Sequence, residues 1–228
     1  MSNMLDLGEL VRIRQSLISQ GTLRQALDDL RTVHPQSEAD PQFTFLETVL
    51  RYSYAVKANT NDAIIWIDLL SAFSVVDPIT PELEFYLPNY MLLCARNAGP
   101  PNDAKVPGLF QRAAEAALKL PDGERDEALG HLNYNVAKWL KKRGQVADAL
   151  AHWQAAARHR FQFYGRLKMA KAPRAELLAA AQQLAKLRKD FPDFFVGTDP
   201  EECGVDPDVF AELEADFGQE LHAFSAKP

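Results

Sequence analysis

Residues 133–156 run NYNVAKWLKKRGQVADALAHWQAA, and their spacing decides the fold. Val136, Ala137 and Leu140 recur at helical intervals, which puts them on one face of a helix. Gly144 then interrupts the pattern, as a residue that closes a helix does. The pattern resumes with Ala149, Trp153 and Ala156 on a second helix. The alternation of sizes has a packing reason. Small Ala137 and Ala149 let two antiparallel helices approach, while Leu140 and Trp153 fill the space between them. The stretch predicts a helix hairpin.

Helical spacing continues on both sides, and alternating β-branched runs bounded by turn residues are nearly absent. Leu7, Leu10, Val11, Ile13, Leu17 and Ile18 predict a first helix that stops at Gly21. Leu23, Ala26, Leu27, Leu30 and Val33 predict a second, ended near His34-Pro35. Asp40 and Pro41 supply the cap and first turn of a third, from about Phe43 to Lys57. A fourth spans 62–73 and closes at Asp77-Pro78, and Thr80-Pro81 opens a fifth in which Pro88 predicts a kink or a restart. After the break at Gly99-Pro100-Pro101-Asn102 come helices at about 106–120, 124–142, 146–160 and 174–190, and Asp206-Pro207 starts the last.

A succession of helix hairpins calls for a search for repeats. The 133–156 stretch resembles the tetratricopeptide repeat position by position. Val136 and Ala137 match the family's Leu-Gly pair, Leu140 its Tyr, Gly144 its turn, and Ala149, Trp153 and Ala156 its second-helix packing residues. The same grid falls on Ile13, Leu17, Gly21, Ala26, Leu30 and Val33, and on Leu50, Tyr54, Ala58, Ala63, Ile67 and Leu70. It departs from the family where Arg14 and Arg51 occupy a small position, where Ala58 replaces the turn glycine, and through the Pro-interrupted pair at 81–120. The resemblance covers roughly residues 5–160. It implies an all-α fold, a tetratricopeptide-like α-solenoid of antiparallel hairpins, with repeats over 1–190. The segment 191–228 would belong to the same domain and supply a capping helix.

Composition agrees with a folded globular protein: 228 residues, 47% hydrophobic and 25% charged. No apolar run approaches the ~20 residues that cross a bilayer, and the start Met1-Ser2-Asn3-Met4-Leu5-Asp6 has no basic n-region, so neither a membrane span nor a secretory leader is expected. Cys94 and Cys203 lie far apart and form no CxxC pair, which fits a reducing cytoplasm, although a disulfide between them stays open. The net charge of −6 is unevenly spread. Between Lys138 and Arg174 stand ten Lys/Arg (138, 141, 142, 143, 158, 160, 166, 168, 171, 174) and one acid, Asp148. From Asp190 to Glu220 there are eleven Asp/Glu and no Lys or Arg. Phe210, Leu213, Phe217, Leu221 and Phe224 recur through that acidic tail at helical intervals. An aromatic stripe of this kind needs a surface to lie on, so a cap over an open solenoid end is expected before a self-ligand or a partner-facing helix.

No catalytic motif is present: no GxxxxGK[ST], GxSxG, HExxH or strand-flanked GxGxxG. His152 and His159 are seven apart with Ala155 and Ala156 between them, which reads as hydrogen-bonded or solvated histidines and not as a metal site. Cys94 sits in Met91-Leu92-Leu93-Cys94-Ala95 and reads as a small buried hydrophobe. No enzyme activity, cofactor or metal is expected.

The resemblance implies a concave groove lined from the first helix of each hairpin. Its candidate residues are His131, Tyr134, Lys138, Lys141 and Lys142, with Tyr52 flanked by Thr48 and Val56 from an earlier repeat. Aromatics beside lysines suit an acidic, partly apolar segment. Only Asn135 falls on the family's carboxylate-clamp positions, so that function is not transferred. The expected function is therefore a cytoplasmic protein-binding module (adaptor, scaffold, or assembly or secretion chaperone) that holds an acidic protein or peptide partner. The alternative partner is nucleic acid. The stretch 158–174, with Arg158, Arg160, Phe161, Tyr164, Arg166 and Lys168, interleaves cations with rings as phosphate and base binding require. The acidic balance, pI about 5.4, argues against it.

Overall fold

Prolines, glycines and short polar caps divide the chain into helices at nearly the places the sequence predicts. The computed structural model describes residues 22–33, 41–77, 80–191 and 207–225, and among these every regular element is helical. We number them α1 (Leu23–Val33), α2 (Pro41–Lys57), α3 (Ala63–Ser74), α4 (Pro81–Ala98), α5 (Val106–Ala117), α6 (Asp122–Lys142), α7 (Val146–Met169), α8 (Arg174–Asp190) and α9 (Pro207–Ser225), with a 3-10 turn at Asn102–Lys105 before α5. The helix expected over 5–18 lies outside the described residues, as does the disulfide candidate Cys203.

Local chemistry explains the starts and stops. The Asp62 carboxylate accepts from the Ile64 N–H at 2.9 Å and caps α3, and Thr80 Oγ1 accepts from Leu83 N–H at 3.3 Å to cap α4. Gly144 takes φ 76°, where a side chain would be strained, and this lets its N–H and that of Gln145 turn back onto Lys141 and Leu140 carbonyls between α6 and α7.

Two expectations are corrected. Of the kink or restart expected at Pro88, the restart does not occur: α4 is continuous over Pro81–Ala98, with Pro88 buried. Burial there outweighs the backbone hydrogen bond that proline forgoes. The helix expected to end near residue 160 runs on to Met169: Gly165 is accommodated inside it, no proline appears before Pro173, and the chain reverses only at Lys171, with φ 51°.

The chain forms two compact units, 1–116 and 117–228. In the first, α1 packs on α2, α2 on α3 and α3 on α4. Ala26, Leu30, Phe43, Leu46 and Leu50 make one apolar cluster. Phe45, Phe73 and Tyr90 make an aromatic one, the last two stacked at 5.3 Å. In the second unit α6 and α7 form a hairpin, α8 packs on α7, and α9 packs on α8. The α6–α7 hairpin buries Val136, Ala137, Leu140, Ala149, Trp153 and Ala156, the residues whose spacing opened the reading. The grid is offset on α3. There Ala63 and Ile67 are exposed, and Trp66, Leu69, Leu70 and Phe73 are buried.

The acidic helix α9 lies on α8 through Leu213, Phe217 and Leu221, all buried. Its acids meet the basic stretch: Lys168 bonds to Glu212, and Arg174 Nη2 lies 2.7 Å from Glu220 with its guanidinium 4.8 Å over the Phe217 ring. The side chain of Phe210 lies outside the described residues.

Candidate functional site

The sequence places five candidate groove residues on α6, and three of them converge on the C-terminal end of α8. Tyr134, buried, donates its hydroxyl proton to the Asp190 carboxylate. Lys138 Nζ reaches the same carboxylate at 3.0 Å, and Lys141 Nζ donates to the Asp190 carbonyl at 3.2 Å while sitting 5.2 Å over the Phe191 ring. Phe191 is itself fully buried and meets Tyr134 edge to face. Burial would raise the Asp190 carboxyl, but the hydrogen bonds from Tyr134 and Lys138 and the charges of Lys138 and Lys186 hold it below its ordinary value. The face of α6 expected to line a groove is thus occupied by the chain itself. Lys142 is exposed, and His131 lies half-buried further along the same helix.

Tyr52 belongs to the first unit. Its ring meets Trp66 at 5.8 Å and Tyr90 at 5.1 Å, while Thr48 is buried with its hydroxyl on the Thr44 carbonyl and Val56 is exposed. Asn135 donates to the His131 carbonyl of its own helix at 3.0 Å.

Of the cations proposed for phosphate contact, Arg160, Arg166 and Lys168 are engaged within the chain, while Arg158 is exposed. Asp126, buried on α6, accepts from Arg166 Nε at 2.9 Å and pairs with His159 at 3.1 Å. Arg160 is buried and donates to the Gln183 carbonyl at 2.5 Å. His152 pairs with Asn133 Oδ1 at 2.8 Å. Cys94 is sealed, and burial pushes its thiol up to about 12 despite the Arg96 charge, so it supplies no thiolate near neutrality.

A surface that the sequence reading passed over lies on α3. Ile64 and Ile67 on α3, and Val75 at its C-cap, are 67%, 40% and 75% exposed, and they share one side of the helix with the polar Asp68 and Ser71. The opposite face of the same helix carries the buried Trp66, Leu69, Leu70 and Phe73. Exposed isoleucines opposite a packed face give a helix a mixed outer side that cover by another apolar surface would favour. The signal was visible in the run Ile64-Ile65-Trp66-Ile67, which breaks the polar side an amphipathic helix should have. Exposed Asp62 and Asp77 stand at the two ends of this face, and Asp68 sits within it, four residues on from Ile64.

No family model, curated protein or solved structure matches the chain. Among the described residues no helix is long and apolar enough to cross a membrane, and no three His, Cys, Asp or Glu side chains cluster as metal ligands.

Proposed function

We propose that this protein is a non-catalytic protein-binding module, an adaptor or scaffold of tetratricopeptide-like build, which holds a helical segment of a partner. The observation that carries this reading is the outward side of α3, where Ile64 and Ile67, with Val75 at the C-cap, are exposed on a helix whose other face is already packed. Apolar residues at this spacing accept the apolar face of another amphipathic helix. Asp62 and Asp77 at its ends and Asp68 within it favour a partner with basic residues beside its own apolar face. Lys138 and Lys141, the basis for expecting an acidic segment in a groove, are held by Asp190, so the reading rests on α3 instead. The nucleic-acid reading is the second one: Arg160, Arg166, Lys168 and Arg174 have partners within the chain, which leaves Arg158 and Lys171 as the exposed cations of that stretch.

The test is affinity capture with the pair Ile64→Glu and Ile67→Glu. Both positions are exposed, so the helical spectrum and melting temperature should stay as they are. Recovery of the partner retained by the natural protein should fall by about tenfold or more, the scale of losing central apolar anchors. Undiminished recovery of the same partner by the folded double variant refutes the reading.

A further inference from the structure

A cleft in the second unit has two ends of opposite charge. Its volume is about 290 Å³, and α6, α7 and α8 wall it. Two contacts set the register of those walls. A Cβ at Gly130 would lie 2.9 Å from Arg160 Cγ, which levels Gly130 on α6 with Arg160 on α7. Arg160 Nη1 donates to the Gln183 carbonyl at 2.5 Å, which levels it in turn with Gln183 on α8. Successive helices are joined by tight turns and run antiparallel. Stepping back from Gly130 to Glu127, on from Arg160 to Phe163 and Leu167, and back from Gln183 to Glu176 therefore leads toward one and the same end. Glu127 and Glu176 share that end, and Phe163, Leu167, Ala179 and Ala180 line the way to it.

The two ends differ in what they offer. At the inner end Arg160 is only 4% exposed, with its guanidinium turned to the Gln183 carbonyl and the Tyr134 ring and its Nε and Nη2 sealed from solvent. Its charge and that of Lys186 make that end positive around His131. At the other end both glutamates are exposed, and neither has an ion-pair or hydrogen-bond partner among the described residues. The cations nearest to them hold other acids: Arg166 holds Asp126, Lys168 holds Glu212 and Arg174 holds Glu220. Burial, and then the charge of Glu124, keep the Glu127 carboxyl above its ordinary value, the direction expected of a carboxylate with no cation beside it.

We propose that this cleft binds a primary ammonium on a short apolar stem, the ammonium between Glu127 and Glu176 and the stem along Phe163, Leu167, Ala179 and Ala180. An ammonium brings three donors and no acceptor, which suits two carboxylates, and the stem covers apolar surface that water otherwise meets. The charge pattern also selects among cations. A second ammonium at the far end of the stem would fall beside Arg160 and Lys186, so a monoamine is preferred to a diamine. The volume is at the lower end for small-molecule sites, which sets the length of the stem. This site lies in the second unit and stands independently of the α3 surface.

Titration calorimetry of the full-length protein with n-pentylammonium chloride tests it. Saturable heat at millimolar ligand is expected, with a ligand-dependent rise in melting temperature. N-acetyl-lysine methylamide presents the same ammonium from a peptide backbone. Binding as tight as that of pentylammonium identifies a lysine side chain as the natural occupant, and binding about tenfold weaker identifies a free amine. Glu127→Gln with Glu176→Gln removes both charges at exposed positions, so the melting temperature should hold while pentylammonium binding weakens by about tenfold or more. Ala179→Trp, on the exposed side of α8, fills the cleft with both carboxylates in place and should weaken binding as well. The proposal is overturned by absence of saturable heat with the natural protein, or by affinity unchanged in either folded variant. Tighter binding of pentan-1-ol, of pentane-1,5-diammonium or of magnesium ion than of pentylammonium overturns it equally.

Discussion

His131 and Arg160 sit at the same cleft on neighbouring helices, and two cations there would repel each other in a poorly solvated place. The imidazole gives way. Burial first, and then the charges of Arg160 and Lys186, lower its pKa to about 4 from 6.5. The unfolded chain therefore takes up a proton at this residue near pH 6.5, while the folded protein resists it until about pH 4. Stability associated with neutral His131 is complete above pH 6.5 and is lost as pH falls through that window. His152, lowered chiefly by burial and against Asp148, acts in the same direction, and Asp190 adds its own loss only below the ordinary carboxylate value of 3.8. Melting temperatures between pH 7 and pH 4 should thus decline for the natural protein and decline less for His131→Asn. Parallel curves for the two proteins would show that His131 protonates alike in both states. Residue positions were legible in the sequence when their partners are near in the chain. Ala137, Ala149 and Trp153 face each other across a single turn, so spacing alone found them. Tyr134 and Asp190 are 56 positions apart, and nothing local says that the ring and the carboxylate meet.

Helices were legible because caps, glycines and prolines act locally. Asp62, Thr80 and Gly144 each do what their side chain or backbone freedom dictates. Local signals mislead where a helix has no local stop, as for α7 beyond residue 160, and a proline such as Pro88 need not end a helix whose flanking residues are buried. The sequence reading also misjudged α3, since the repeat grid assigned Ile67 to a packed position that the helix turns outward. The acidic helix α9 combines two features that the sequence presented as rivals: an apolar stripe on α8, and carboxylates on Lys168 and Arg174. Their sizes differ. Exposed ion pairs contribute about 0–1 kcal/mol each and weaken with salt. Burial of Leu213, Phe217 and Leu221 contributes roughly 1.5–3 kcal/mol per side chain. Ending the chain at residue 204 should therefore lower the melting temperature or cause aggregation, while raising the salt concentration on the full-length protein should move it little. A truncated protein that melts like the parent would mean that α9 is a ligand of α8 and not part of its fold.

Across the whole molecule, the charge asymmetry looked at first like an address for an acidic or polyanionic partner. Much of it is consumed within the second unit instead. Lys138 and Lys141 hold the end of α8, Arg166 holds Asp126, and Lys168 and Arg174 hold α9. A basic run in sequence states how many cations there are, and only the fold states which of them have been used. Among the described residues the fold also leaves apolar side chains in the open: Ile64 and Ile67 on the outward side of α3 in the first unit, with Val75 at its C-cap. The central claim, that this side of α3 and not the α6 face receives a partner, is tested most directly by site-specific photo-crosslinking. A benzoylphenylalanine in place of Ile67 should form an adduct with a second, different polypeptide in the native host, and the same residue in place of Lys142 should form none. Adducts from position 142 with none from position 67, or from position 67 only to another copy of this chain, would contradict it.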